Sequence, residues 1–101
     1  MTVNPSEIEA LPNLHTLRLG RINNLKEYIQ VFNRSVRTFG CYNLESEWIE
    51  EFHSNLQYLR VLELSFQSHD LHISNLANLD EILIDYFCWG EIKLSNLEGL
   101  Q

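Results

Sequence analysis

The chain has 101 residues, 45% of them hydrophobic, and 14 acidic side chains against 7 basic ones give a formal charge of −7. That length fits one domain, and that apolar content excludes a disordered tail. The acidic balance, without clustered Lys and Arg, excludes nucleic acid and anionic membrane surfaces as partners.

The first residues, Met-Thr-Val-Asn-Pro-Ser-Glu, lack the basic start and apolar run of a secretion signal. No stretch of about 18 apolar residues is present to span a bilayer. Two cysteines, Cys41 and Cys88, are then expected as free thiols. A cytoplasmic protein is predicted, in which the glycosylation match Asn33-Arg34-Ser35 is idle.

In chain order, Ser6 and Glu9 stand at capping-box spacing behind Pro5, which predicts a helical turn over 6–10 within an N-terminal cap of residues 1–10. Leu11, Leu14, Leu17 and Leu19 come next, stepping by three and then by two. One helix or one long strand would keep a single period; this mixture predicts a turn feeding a short strand near 16–20. Leu25, Tyr28, Ile29 and Phe32 then form a helical stripe, with Asn23 or Asn24 as its cap.

The same LxxLxxLxL template recurs. A degenerate copy reads Val36, Phe39, Tyr42, Leu44; clean ones read Leu56, Leu59, Leu62, Leu64 and Leu76, Leu79, Ile82, Ile84. A fifth starts at Leu94, Leu97, Leu100. Repeats thus begin near residues 11, 36, 56, 76 and 94, with third positions at 17, 42, 62, 82 and 100, in steps of 25, 20, 20 and 18 residues. Between copies, 45–53 reads as a helix capped by Ser46, burying Trp48, Ile49, Phe52 and Leu56. The linker 65–74 is polar, anchored by Leu71 and Ile73, and the next carries Phe87, Cys88, Trp89, Gly90 and Ile92. The whole chain, 1–101, is one repeat domain. Its fifth copy would leave an open apolar edge, as in a fragment of a longer array or a surface for self-association.

Three stretches carry a family resemblance: Leu-Pro-Asn-Leu-His-Thr-Leu-Arg-Leu, Leu-Gln-Tyr-Leu-Arg-Val-Leu-Glu-Leu and Asn-Leu-Ala-Asn-Leu-Asp-Glu-Ile-Leu-Ile. They resemble leucine-rich repeats, whose period is about 20 to 29 residues. Ser-Val-Arg-Thr-Phe-Gly, a helical insert and then Leu-Gln-Tyr-Leu-Arg-Val-Leu-Glu-Leu-Ser are most similar to the irregular repeats of plant intracellular nucleotide-binding disease-resistance receptors. The resemblance implies an α/β solenoid of about five repeats, with short parallel strands on a concave face and helices and loops on the convex one. It implies a non-catalytic protein-recognition module in plant defence. The chain departs from the family where the usual Asn or Cys after each strand is replaced by Ile22, Glu47, Gln67 and Phe87; Cys88 fits only with a one-residue slip. It also lacks the Gly-x-x-x-x-Gly-Lys-Ser/Thr loop of the receptors' nucleotide switch.

On that architecture, residues between the template positions face outward. They are Thr16, Arg18, Gly20 and Arg21; Cys41, Asn43, Glu45 and Ser46; Val61, Glu63, Ser65 and Phe66; Glu81, Leu83, Asp85 and Tyr86. The expected binding face is Arg18, Arg21, Asn43, Glu45, Glu63, Phe66, Glu81, Leu83, Asp85 and Tyr86. Arginines lie at one end and acids with aromatics at the other, which favours a basic protein partner. A solvated face without a ligand accounts for the same acids.

Chemistry of other kinds has thin support. His69 and His72 with Asp70 fall short of four zinc ligands, and a loop with exposed histidines suffices. Cys41 has no base beside it in sequence. Trp48, Phe52, Phe87 and Trp89 read as filling behind the strands rather than as a cofactor box. No cofactor or metal is expected. A ubiquitin-ligase substrate adaptor needs an F-box that residues 1–10 are too short to supply, and a small α/β enzyme needs a triad, metal set or phosphate loop that is not seen.

Overall fold

A computed structural model describes residues 4–32, 35–68, 70–87, 90–95 and 97. Short helices precede each strand as far as residue 66, and the elements described after it are strands alone, in a compact α/β arrangement with parallel sheets. Strands β1 (Thr16–Arg18), β2 (Thr38–Tyr42), β3 (Val61–Phe66) and β5 (Glu81–Ile84) form one sheet in that order, all parallel. A second parallel pair, β4 (Leu71–Ser74) and β6 (Ile92–Ser95), packs across the core.

The register aligns the apolar positions. Leu17 lies beside Phe39, Phe39 beside Leu62, and Leu62 beside Ile82. Leu17, Leu62 and Ile82 therefore occupy one level, as expected. Tyr42 does not, and the reading of the second copy is corrected. Its apolar positions are Val36, Phe39 and Cys41, all buried, three residues earlier than expected. Cysteine packs as a small hydrophobe here, which is why the template is hard to see. Aligned positions 17, 39, 62 and 82 are thus 22, 23 and 20 residues apart.

The helices follow their stripes, with shifted ends. α1 (Pro5–Glu9) begins with Asn4 at the capping position and Pro5 in the first turn, where its missing N–H costs nothing. The Ser6–Glu9 capping box does not form. α2 (Leu25–Ile29) buries Leu25, Tyr28 and Ile29, with Phe32 just beyond. The single helix expected over 45–53 is two: α3 (Ser46–Glu51) and α4 (His53–Leu56), broken at Phe52 with φ −110 and ψ 31. Glu45, not Ser46, precedes α3, and the Ser46 hydroxyl instead accepts from the His72 N–H at 2.9 Å.

Both linkers also contain strands where the template spacing predicts loops. Leu71-His72-Ile73-Ser74 and Ile92-Lys93-Leu94-Ser95 each alternate apolar and polar residues, the signature of a half-buried strand. Leu94 is registered beside Ile73, so it belongs to the linker strand and does not open a fifth template copy. Leu97 packs partly against the core, while Leu100, Cys88 and Trp89 lie outside the described residues.

One buried cluster joins Phe39, Leu62 and Leu64 of the sheet to Ile29, Ile49, Leu56, Leu71, Ile73, Leu76 and Leu79. Among the described residues Gln67 is the buried polar residue of the core, 0% exposed. Its amide accepts from the Leu44 N–H and donates to the Leu44 C=O, each at 2.9 Å, so both polar groups of Leu44 are satisfied. Asn43, with φ 48, ends β2, and its side-chain carbonyl accepts from the Ser68 N–H at 2.8 Å and hydroxyl at 3.0 Å. Asn tolerates this left-handed conformation better than most residues.

Candidate functional site

The outward face of the four-stranded sheet is built from three levels. Pleating turns alternate side chains to opposite faces, so Leu17, Phe39, Leu62 and Ile82 turn inward and their neighbours turn out. The lowest outward level is Thr16, Thr38, Val61 and Glu81; the next is Arg18, Gly40, Glu63 and Leu83. Beyond Cys41 the register shifts and sets Tyr42 opposite Phe66.

Arg18 reaches from β1 across β2 to Glu63 of β3. Its Nε donates to Oε1 at 2.7 Å and its Nη2 to Oε2 at 3.1 Å, a bidentate pair. Gly40 lies beneath that bridge: a Cβ there would stand 3.1 Å from Glu63 Oε1 and 3.2 Å from Arg18 Cγ. The hydrogen bond from Arg18, with help from its charge, holds the Glu63 carboxyl below its usual pKa against the opposing effect of burial. The hydrogen bond to Glu63 and its charge raise Arg18 in turn. The expected separation of arginines from acids is therefore corrected: Arg18 and Glu63 neutralise each other in the middle of the face. At the foot of the sheet Arg60 also pairs with an acid, its Nη2 2.6 Å from Asp80 Oδ2.

The upper level is an aromatic row. Tyr42 and Phe66 have ring centroids 6.1 Å apart at 29°, and Phe66 and Tyr86 are 5.4 Å apart at 6°. Rings at equivalent positions of adjacent parallel strands stack because strand spacing, about 4.8 Å, is close to stacking distance. Arg21, Tyr42, Asn43 and Phe66 line a recess of about 150 Å³ beside one end of the row. Glu63, Ser65, Leu83, Ile84 and Asp85 line an open groove of about 400 Å³ toward the other.

Of the residues predicted for this face, Arg18, Glu63, Phe66, Glu81, Leu83, Asp85 and Tyr86 lie on or beside one surface, with Arg21 at its rim. Asn43 is spent on the Ser68 turn, and Glu45 precedes α3, beyond the sheet. Cys41 faces the core, and Thr38, Gly40 and Tyr42 take the places assigned to the second copy. The frame Val36-x-x-Phe39-x-Cys41 is the sequence signal that identifies them.

Other candidates acquire structural explanations. Burial pushes the Cys41 thiol up to about 12, leaving it protonated and a poor nucleophile at neutral pH. His72 Nε2 lies 2.8 Å from Ser95 Oγ, and Asp70 accepts from the Glu91 N–H at 2.6 Å; His69 lies outside the described residues. Among the described residues no three His, Cys, Asp or Glu gather in a metal-binding group, and no helix is long and apolar enough to cross a membrane. No family model matches the chain, and comparison with curated proteins and with solved structures yields no significant match.

Proposed function

We propose that this chain is a leucine-rich-repeat solenoid that recognises a protein partner through the outward face of its sheet, without catalysis of its own. The observation that carries the reading is the alignment of outward side chains into levels, ending in the row Tyr42, Phe66 and Tyr86. A rigid parallel sheet holds such side chains in place before binding, so little ordering remains to oppose association. Tyr and Arg beside aliphatic residues are the side chains that dominate protein interfaces.

The repeat reading is supported by the 22-, 23- and 20-residue spacing of levels, inside the range for such arrays. Gln67 adds support. It follows Leu62 and Leu64 where the family usually carries Asn or Cys, and its amide bonds the backbone of the preceding turn. The wording of the repeats resembles the sensing region of a plant intracellular immune receptor, and a cytoplasmic setting and a basic partner go with it.

The test is crosslinking mass spectrometry from cell extract with three proteins: wild type, a Tyr42→Ala, Phe66→Ala, Tyr86→Ala triple variant, and a control changed at Glu47 and Glu50 of α3. Loss of the crosslinked partners in the triple variant alone is expected. Identical partner sets for wild type and the triple variant would refute recognition through this face.

A further inference from the structure

The residues just below the strands keep the register of the sheet. Arg37 donates its N–H to the His15 C=O at 2.8 Å, Arg60 to the Arg37 C=O at 2.8 Å, and Asp80 to the Arg60 C=O at 2.7 Å. His15, Arg37, Arg60 and Asp80 therefore stand on consecutive rungs in one row. Two guanidinium groups lie on neighbouring rungs, with one carboxylate beside them. This gathers positive charge in a chain that has 14 acidic residues and 7 Lys and Arg. Like charges on neighbouring strands repel, and an anion bound between them replaces that repulsion with attraction.

Both guanidinium groups are held before any ligand arrives. Arg60 turns Nε and Nη2 to Asp80 Oδ2, at 2.8 and 2.6 Å, which leaves Nη1 for another acceptor. Arg37 Nη1 donates to the Tyr58 C=O at 3.3 Å. The two arginines line one cleft of about 460 Å³ together with Tyr58, Ala77, Asn78 and Asp80. Asn78 Nδ2 donates to the Gln57 C=O at 2.8 Å, which fixes that amide in the wall. Donors fixed in advance leave little ordering to oppose binding.

The donor set selects the anion. Guanidinium forks fit the oxygens of phosphoryl groups, and a phosphoryl ester carries about −1.5 to −2 charge at pH 7, a better match to two arginines than the single charge of Asp or Glu. Nucleic acid and anionic membranes present many phosphates at once and would meet the chain's formal charge of −7. One phosphorylated side chain meets the cleft alone. We propose that this cleft binds a phosphorylated Ser, Thr or Tyr side chain of a partner protein, its phosphoryl oxygens accepting from Arg37 and Arg60. The site is at the foot of the sheet, apart from the aromatic row, and does not depend on that row binding protein.

The probes are two fluorescein-labelled, end-blocked peptides, Ala-Ala-X-Ala-Ala with phosphoserine or phosphotyrosine at X, and their unphosphorylated twins. They are titrated into the full chain by fluorescence anisotropy. At least one phosphorylated peptide should bind at least about tenfold more tightly than its twin. Arg37→Gln, Arg60→Gln double substitution should abolish that preference. Lys26→Gln, Lys93→Gln, the same change of charge on other elements, should keep it within about twofold. In the wild type the Arg37 and Arg60 Nε–H resonances should shift as the phosphopeptide binds, which keeps the test decisive if the arginine variant unfolds. Absence of a phosphate preference, a preference that survives the arginine variant, equal loss in the lysine variant, or arginine resonances that do not move would each overturn the proposal. Inorganic phosphate binding as tightly as the phosphopeptides would overturn a protein partner and assign the cleft to free phosphate. If the phosphopeptides fail while the aromatic triple variant still loses its crosslinked partners, the cleft proposal falls and the face reading stands.

Discussion

Strands β3 and β5 have nearly the same pattern and different surroundings. Leu62 and Leu64 of β3 are each 1% exposed, whereas Ile82 and Ile84, registered beside them, are half-buried and 40% exposed. The second sheet repeats the contrast: Ile73 of β4 is 0% exposed and its neighbour Leu94 of β6 is 48% exposed. Burial in this molecule follows a strand's position in its sheet, not its apolar pattern alone.

The largest test of that contrast is truncation at matched positions. Leu64→Ala should cost about 3 kcal/mol in urea unfolding and Ile84→Ala about 1 kcal/mol or less, because transfer and cavity costs scale with burial. Equal losses would mean that the edge is as well packed as the centre. A polar version uses Gln67. Gln67→Leu strands the Leu44 N–H and C=O in the core and should cost about 2–3 kcal/mol. Phe87, bridged to Gln67 from the edge, should tolerate Phe87→Leu with about 1 kcal/mol lost.

Cys41 reports how closed the centre is. In a Cys88→Ser background, its alkylation at pH 8 should be at least about a hundredfold slower in the folded than in the urea-unfolded chain. Because its folded pKa is raised, to about 12, ionisation favours unfolding, and its effect on stability should appear only as pH climbs above the ordinary thiol value. Rapid alkylation of the folded protein would show that the sheet opens between β2 and β3.

The smallest effect belongs to the Arg18–Glu63 bridge. It lies on the surface, so a double-mutant cycle should show weak coupling that high salt removes. The folded Glu63 pKa is depressed, so the contribution is present above the ordinary carboxylate pKa and is lost as pH falls through the lowered value. Gly40→Val should abolish the coupling by filling the space beneath the bridge. Coupling that survives both salt and Gly40→Val would refute a bridge lying over that glycine.

Legibility in the sequence differs from place to place. Spacing alone puts Leu17, Leu62 and Ile82 on one level, because clean leucine templates admit one frame. The second copy is misframed because Phe39 and Cys41 do not spell leucine, and that one slip displaces Tyr42, Asn43 and Glu45 together. Strands β4 and β6 are written in plain alternation, Leu-His-Ile-Ser and Ile-Lys-Leu-Ser, but four residues are too few to outweigh a linker reading. Glu63 reads as one of a cluster of acids because its partner, Arg18, is 45 residues away in sequence.

By itself, the order of apolar and polar residues determined that helices would stand between the first three strands of the sheet and which faces most of these elements would bury, since side-chain direction follows backbone period. The tertiary structure alone decided which residues share a level, which charges meet and which rings stack. Those depend on distances across strands, and a register shift of one residue exchanges the two faces of a sheet.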